Sequence, residues 1–487
     1  MAHHHANDIP AHLLMWRRVR EYAVPPSMIE TATARREVGD WAGACAAARI
    51  DVDLDLRAVR DRHGTELVTR LRADLRRLAP DLLRWHMPRI APDGRLRPGL
   101  TTSLAGYRGF GPATPQLVIR TPPAWADGGQ RMSLALWEGR PGDGACRHHP
   151  HPHPDRRFRL DLHRHLWDAS LSGELAWRCG VRGALPATPR SILPDRSVRP
   201  SSGWAVTRWA AEAELLIRAE GRFSPAFAVR LGGGGHTVFE LVAPDVSHVP
   251  AFRPTRAVLP PQEIAALPLL PEAAARTLPD LALVRAGLVA PGRLHPLVAS
   301  ALGVSGHAPV DGPMPGPDDP HRVECRDEIH RIALREGVLT AVDHDPEQLR
   351  RENLLVALGG PPLPCLRAIA AAHREPEALA AVRERLGHGD IAGALTVIEG
   401  LLGPRAILRD GPLRDELRSV AARLVEHGLF RSGLAAAPPG HGAAKDGNAP
   451  VVGHTLAGHR PRLDRRTDRA TRAKRNSRSR PRTGLFH

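Results

Sequence analysis

Lysine is almost missing from this 487-residue chain: Lys445 and Lys474 are the whole complement, and arginine carries nearly all the positive charge. Tyrosine is as scarce, with two residues, and aromatics make up only 4% of the chain. Trp16, Trp41, Trp85, Trp137, Trp167 and Trp209 are scattered over different segments. That pattern fits core packing and excludes a base-stacking platform. The five cysteines, Cys45, Cys146, Cys179, Cys325 and Cys365, are odd in number, far apart and without a CxxC pair. This excludes a disulfide framework and a cysteine zinc finger. No run of roughly eighteen apolar residues exists to span a membrane. The start, "MAHHHANDIPAHLLMWRRVREYAV", lacks the apolar core of a signal peptide. The expectation is a cytoplasmic protein without membrane association.

The formal charge of +16 looks like a nucleic-acid signature, but it is unevenly placed. Eleven Arg or Lys residues lie between Arg460 and Arg482 against Asp464 and Asp468, a net of +9, which leaves +7 for all the rest. The charge of the segment before the tail is ordinary. Arg460–Arg482 remains a candidate for weak polyanion binding by phosphate neutralisation.

Hydropathy patterning divides the chain into five parts. Residues 1–95 read as a helical module. Pro25 and Pro26 open a helix, with Ser27 as N-cap and Glu30 at capping-box spacing. Gly39 suits the left-handed position that ends it, and Asp40 the N-cap of the next helix. Leu67, Val68, Leu71, Leu75, Leu78 and Leu82 recur at spacings of three and four, an amphipathic stripe that Pro80 re-aims. Residues 96–245 carry short alternating runs, "LTTSLAGY", "QLVIRT", "RMSLALWE", "RFRLDLH", "AFAVRL" and "HTVFELV", interrupted by the helical "AVTRWAAEAELLIRAEG". That order predicts an α+β domain with a mainly antiparallel sheet. Residues 246–320 form a proline-rich connection with short helices. Residues 321–437 read as strands and then helices, with Asp345 capping a helix that Pro346 opens and Gly359 ends. Residues 438–487 have too few large apolar side chains to offset the entropy of ordering, so a disordered basic tail is expected.

The stretch "RREVGDWAGACAAA", Arg35 to Ala48, is echoed by "RLGHGDIAGALTVIEGLL", where Gly389, Asp390, Ala392, Gly393 and Ala394 repeat the Gly-Asp-x-Ala-Gly-Ala order. Gly39, Trp41, Gly43, Ala44 and Ala48 fill the matching places in the first copy. Both stretches, within 35–48 and 385–402, resemble the inter-helix corner of a tetratricopeptide repeat, a family that docks peptides in helical grooves. The roughly 34-residue period of that family is not seen between them. Two separate helical hairpins, rather than an array, are therefore expected. The whole chain also resembles actinobacterial proteins to which no activity is attached.

Candidate chemistry is concentrated in "CRHHPHPHPDRRFRLDLHRH", which holds Cys146, His148, His149, His151, His153, His163 and His165. Imidazole and thiolate are good zinc, nickel or copper ligands. The first five lie among prolines and are expected to be a solvated, mobile loop. His163 and His165, two apart on an expected strand, share a face with Asp161 and form the candidate metal set. "RLGGGGHT" at 230–237 lacks the Lys-Ser or Lys-Thr of a phosphate loop and reads as a hairpin turn. Asp343, His344 and Asp345 make a weaker acid–base cluster at a strand end. No GxSxG elbow or HExxH helix occurs. The sequence thus favours a non-catalytic, cofactor-free cytoplasmic component that binds a protein partner. Its alternatives are a metal-dependent enzyme built on Asp161, His163 and His165, and nucleic-acid association through the tail.

Overall fold

Two prolines in succession start the first hairpin. In the computed structural model, Pro25 stands at the N-cap and Pro26 at the first helical position of helix α2 (Pro26–Glu37), which follows α1 (Ala11–Arg18) and a π-helical turn at Val19–Ala23. No side chain caps α2, so the expected Ser27–Glu30 capping box does not form; the helix begins two residues earlier, where proline's fixed φ is already helical. Gly39, at φ +79°, turns the chain, and the Asp40 carboxylate accepts the Gly43 amide at the N-cap of α3 (Trp41–Ala47).

The structure describes residues 9–110, 114–139, 149–181, 203–231, 235–242, 250–255, 259–303, 322–325, 328–335, 338–341, 344–361, 363–367, 379–402 and 410–434. The tail at 438–487, the Gly-rich turn at 232–234, Cys146, His148 and Asp343 lie outside them.

After α3 the chain makes a strand the sequence reading passed over. β1 (Ile50–Asp53) joins β2 (Thr101–Gly106), β3 (Gln116–Arg120) and β4 (Met132–Trp137) in a four-stranded sheet of order β1-β4-β3-β2. β1 runs parallel to β4, with Ile50 opposite Met132, while β2, β3 and β4 pair antiparallel. The fold is α+β with a mainly antiparallel central sheet. All six residues of the leucine-rich stripe are buried, on α4 (Leu56–Arg77), on α5 (Pro80–His86) and at Leu78 between them. They share one apolar core with α1, β1–β4 and helices at Pro279–Arg285 and Pro296–Leu302. The helical N-terminal part, the sheet and part of the proline-rich connection are thus cemented by the same side chains. Trp85, Trp167 and Trp209 are among the largest fully buried residues.

A smaller core forms around α6 (Trp209–Ala219), packed on the antiparallel strands β5 (Ala226–Arg230), β6 (His236–Val242) and β7 (Ala251–Pro254). Trp209, Phe227, Phe239 and Phe252 meet there with ring centroids within 6.2 Å. Further on, β8 (Arg322–Cys325), β9 (Glu328–Arg335) and β10 (Val338–Ala341) form an antiparallel meander. The helix Pro346–Ala357 follows, capped by Asp345 and closed by Gly359 at φ +90° as its sequence signals require. The last described elements are α7 (Leu379–Gly387), α8 (Ile391–Leu402) and α9 (Pro412–Arg431), whose apolar faces make a small three-helix core.

This C-terminal bundle seats on a glycine turn of the body. The backbone of α9 passes so close to Gly128 that a side chain there would overlap Arg423 and His427. His427 Nδ1 lies 2.8 Å from the Ala126 carbonyl, and Arg431 pairs with Asp51 and Asp53 on β1. The two acids alternate with Ile50 and Val52 on a four-residue strand, which is why β1 faces both a core and a basic helix.

Candidate functional site

"RFRLDLHRH" is not a strand. Apart from a single bridge between Arg159 and Ser103, it winds into successive 3-10 turns at Leu160–Leu162 and Arg164–Leu166. The strand periodicity that would align Asp161, His163 and His165 on one face is therefore lost. The Asp161 carboxylate turns to Arg159, accepting from Nε at 2.8 Å and Nη2 at 2.7 Å. His163 and His165 are both buried, with ring centroids 5.9 Å apart. The three residues do not converge, and no group of three or more His, Cys, Asp or Glu among the described residues is arranged to hold a metal ion.

What His163 meets instead is Glu212. Its Nδ1 lies 2.8 Å from the Arg159 carbonyl and so carries a proton; its Nε2 stands 3.2 Å from Glu212 Oε2, at ion-pair distance but off the hydrogen-bond axis. Arg178 grips the same carboxylate with two bonds, at 2.8 and 2.6 Å, and Arg208 adds one at 3.2 Å. Burial pushes the Glu212 carboxyl up, but His163 and Arg178 outweigh it and hold it well below the usual carboxylate range. His165 is held neutral, first by burial and then by the charge of His163 and Arg178. Glu212 was legible in one respect: it sits three residues after Trp209 and four before Leu216, inside the apolar stripe of α6. A carboxylate on a buried face requires cationic partners.

In the described part of the His-Pro segment His151 and His153 are exposed, as expected of a solvated loop, but His149 is not. His149 is buried, with Nε2 at 2.9 Å from the Thr121 carbonyl and Nδ1 accepting the His151 amide, so both ring nitrogens are occupied in the neutral form. Burial, helped by Arg120, lowers its pKa to about 4. His153 packs edge-on against Trp137. His344 stacks on His330 at 4.0 Å, and Asp345 spends its carboxylate on the helix cap.

Two buried His–Asp pairs lie deeper. His295 places Nε2 at 2.8 Å from Asp81 while its Nδ1 caps the helix Pro296–Leu302, and Asp280 accepts from Trp85 with His86 at 3.5 Å. Both imidazoles have their Nδ1 committed to backbone groups. Neither presents a nitrogen to a substrate, so these pairs tie helices together. The Cys45 and Cys179 thiols are pushed up to about 12, chiefly by burial, and are poor nucleophiles.

The feature that recurs is the helical corner. At 35–45 and again at 385–395 the same bonds are made. Gly39 and Gly389 adopt φ +79° and +81°. The amides of Asp40 and Asp390 donate to the carbonyls of Arg35 and Arg385 at 2.9 and 2.7 Å. Each Asp then accepts its own amide clamp, Gly43 at 2.8 Å and Gly393 at 3.2 Å, and a guanidinium from the preceding helix, Arg35 at 3.1 Å and Arg385 at 2.8 Å. A side chain at Gly43 or Gly393 would overlap that carboxylate, which explains glycine at the third position after each Asp. The chain matches no known protein family, no curated protein and no solved structure. Its own second copy is therefore the precedent for the first.

The copies differ in what covers them. At the second, Arg49 Nη1 donates to the His388 carbonyl at 2.7 Å, its Nη2 stands 3.5 Å from Asp390 Oδ1, and His388 stacks on Tyr22. Gly389 lies against Gly129 so tightly that any Cβ would overlap the Gly129 carbonyl. A cleft of about 270 Å³ lined by Arg49, Arg131 and Asp390 marks the edge of this contact. At the first corner no described residue lies within 4 Å of where a Gly39 Cβ would stand. Val38, the counterpart of His388, is 78% exposed. The Asp40 side chain is 38% exposed against 9% for Asp390. Among the described residues no helix is long and apolar enough to cross a membrane.

Proposed function

We propose that this protein is a non-catalytic docking component that binds a partner protein through the open helical corner at residues 35–45. The observation that supports the reading is the pair of corners: the covered copy is already used as a docking surface inside the molecule, and the exposed copy has the same bonds and no cover among the described residues. Helical corners suit this role because a glycine and a capped N-terminus bring two backbones close with little side-chain entropy to lose. A reducing compartment such as the cytoplasm fits the unpaired thiols of Cys45 and Cys179.

The test is a photo-crosslinking amino acid placed at position 38 of the full chain in cells, with position 358, an exposed Leu, as control. A single protein adduct is expected from position 38 and not from 358, and the partner, once identified and purified, should form a stoichiometric complex that Asp40→Lys weakens. Absence of an adduct at 38, or the same adducts at both positions, counts against the proposal.

A further inference from the structure

The covered corner also indicates what the open one binds; this step rests on the docking reading above. Arg49 leaves the end of α3 and reaches the second corner, where its forked guanidinium meets both the carbonyl that ends the first helix of the hairpin and the carboxylate that caps the second. Beside it the bare backbone of Gly129 packs on Gly389. At the first corner, the carbonyl of Val38, the carboxylate of Asp40 and the bare Gly39 hold the same places in the same turn. We infer that the open corner binds an arginine side chain of a separate partner protein, presented on a glycine-containing turn.

The chemistry is that of a cation at the carbonyl end of α2, a twelve-residue helix, reinforced by a full carboxylate charge. A guanidinium satisfies the two acceptors with parallel donors, whereas an ammonium is a point charge that favours one of them. Arg35 already bonds Asp40, but this is no obstacle: Asp390 carries Arg385 and faces Arg49 together. The glycine on the partner's turn follows Gly129, whose left-handed backbone at φ +67° favours glycine and whose carbonyl packs where a side chain on Gly389 would stand. A second copy of this chain is the weaker occupant, because Arg49, the arginine it uses in this way, is engaged at its own corner.

The test uses the full chain, selectively labelled with 15N-glycine, and the peptide acetyl-Gly-Gly-Arg-Gly-amide, with lysine and citrulline versions as controls. The amide of Gly43, bonded to Asp40, and that of Gly39 report on the site. The arginine peptide should shift both saturably while Gly389 and Gly393 stay still, and the lysine and citrulline peptides should bind more weakly. Asp40→Asn, which keeps the helix cap, should weaken arginine binding about threefold, as for one partly exposed ion pair. No saturable shift, equal binding of the three peptides, or indifference to Asp40→Asn overturns the assignment. Concentration-dependent shifts of Gly39 and Gly43 without peptide would make the occupant a second copy and overturn it as well. A silent titration beside a position-38 cross-link sinks the arginine assignment and leaves docking standing; a saturable titration with no cross-linked partner sinks docking itself.

Discussion

Glu212→Gln removes a charge and almost no volume from the centre of a buried ion cluster. The native carboxylate is 4% exposed and faces His163, Arg178 and Arg208, whose side chains are 3%, 8% and 5% exposed. The amide keeps one acceptor oxygen but turns its NH2 group toward guanidinium donors. Two guanidinium groups are then left in the interior without a counter-charge. Stranding partners in this way costs about 3–5 kcal/mol in other proteins, far more than the pair itself contributes when intact. The matched control is Glu214→Gln on the same helix: Glu214 pairs with Arg218 at the surface, where the 71% exposure of Arg218 leaves the pair screened. That change should cost under about 0.5 kcal/mol. Urea unfolding followed by tryptophan emission separates the two, because Trp204, Trp209 and Trp177 all sit in or beside this part of the fold. Acid adds a second readout. The folded Glu212 carboxyl is held below its unfolded value, so its stabilisation is complete above the unfolded pKa of about 4.3 and drains away as pH falls below it. Glu212→Gln should flatten that limb. A cost no greater than that of Glu214→Gln, with the acid limb intact, would refute the picture of a neutralised cationic pocket.

Three further outcomes are expected. Gly389→Ala should destabilise the chain at least about twice as much as Gly39→Ala in urea: both pay the left-handed backbone penalty of roughly 1–2 kcal/mol, but only the first also drives a methyl into the Gly129 carbonyl. Stability should begin to fall near pH 6.5 rather than pH 4.5. His149 and His388 are buried with pKa values lowered to about 4 and about 3, so the unfolded chain takes up protons first, and stability present above pH 6.5 is lost on the way down; His149→Gln should reduce the slope between pH 6.5 and 4. Natively purified, tag-free protein should hold less than about a tenth of an equivalent of zinc, nickel or copper, and added zinc should not raise its urea midpoint, because the Asp161 carboxylate stays with Arg159.

Much of the architecture can be read locally. The stripe from Leu67 to Leu82, the capped and proline-opened helix at Asp345–Pro346, and the glycine stops at Gly39 and Gly359 each depend on neighbours within one or two turns. What escapes such reading depends on distant partners. β1 has four residues, and it becomes a strand because β4 supplies a parallel neighbour eighty residues on. "RFRLDLHRH" alternates like a strand, yet only Arg159 finds a bridging partner, and the rest curls so that Arg159 and Asp161 close on each other. The candidate metal set failed for the same reason. The glutamate that His163 meets is forty-nine residues away, on a helix whose buried face already announced an unsatisfied charge. The two corners were legible as motifs, but which one is covered is a property of the packed molecule.

Amide hydrogen exchange at Gly43 and Gly393 in the free, full-length chain tests the central claim most directly. Both amides donate to the carboxylate of their own corner's aspartate, and the longer bond, at 3.2 against 2.8 Å, belongs to the covered Gly393, so bond length alone would favour the opposite order of protection. The account predicts that Gly43 exchanges about a hundredfold faster than Gly393, as an open corner should beside a docked one. Equal protection of the two glycines would contradict it.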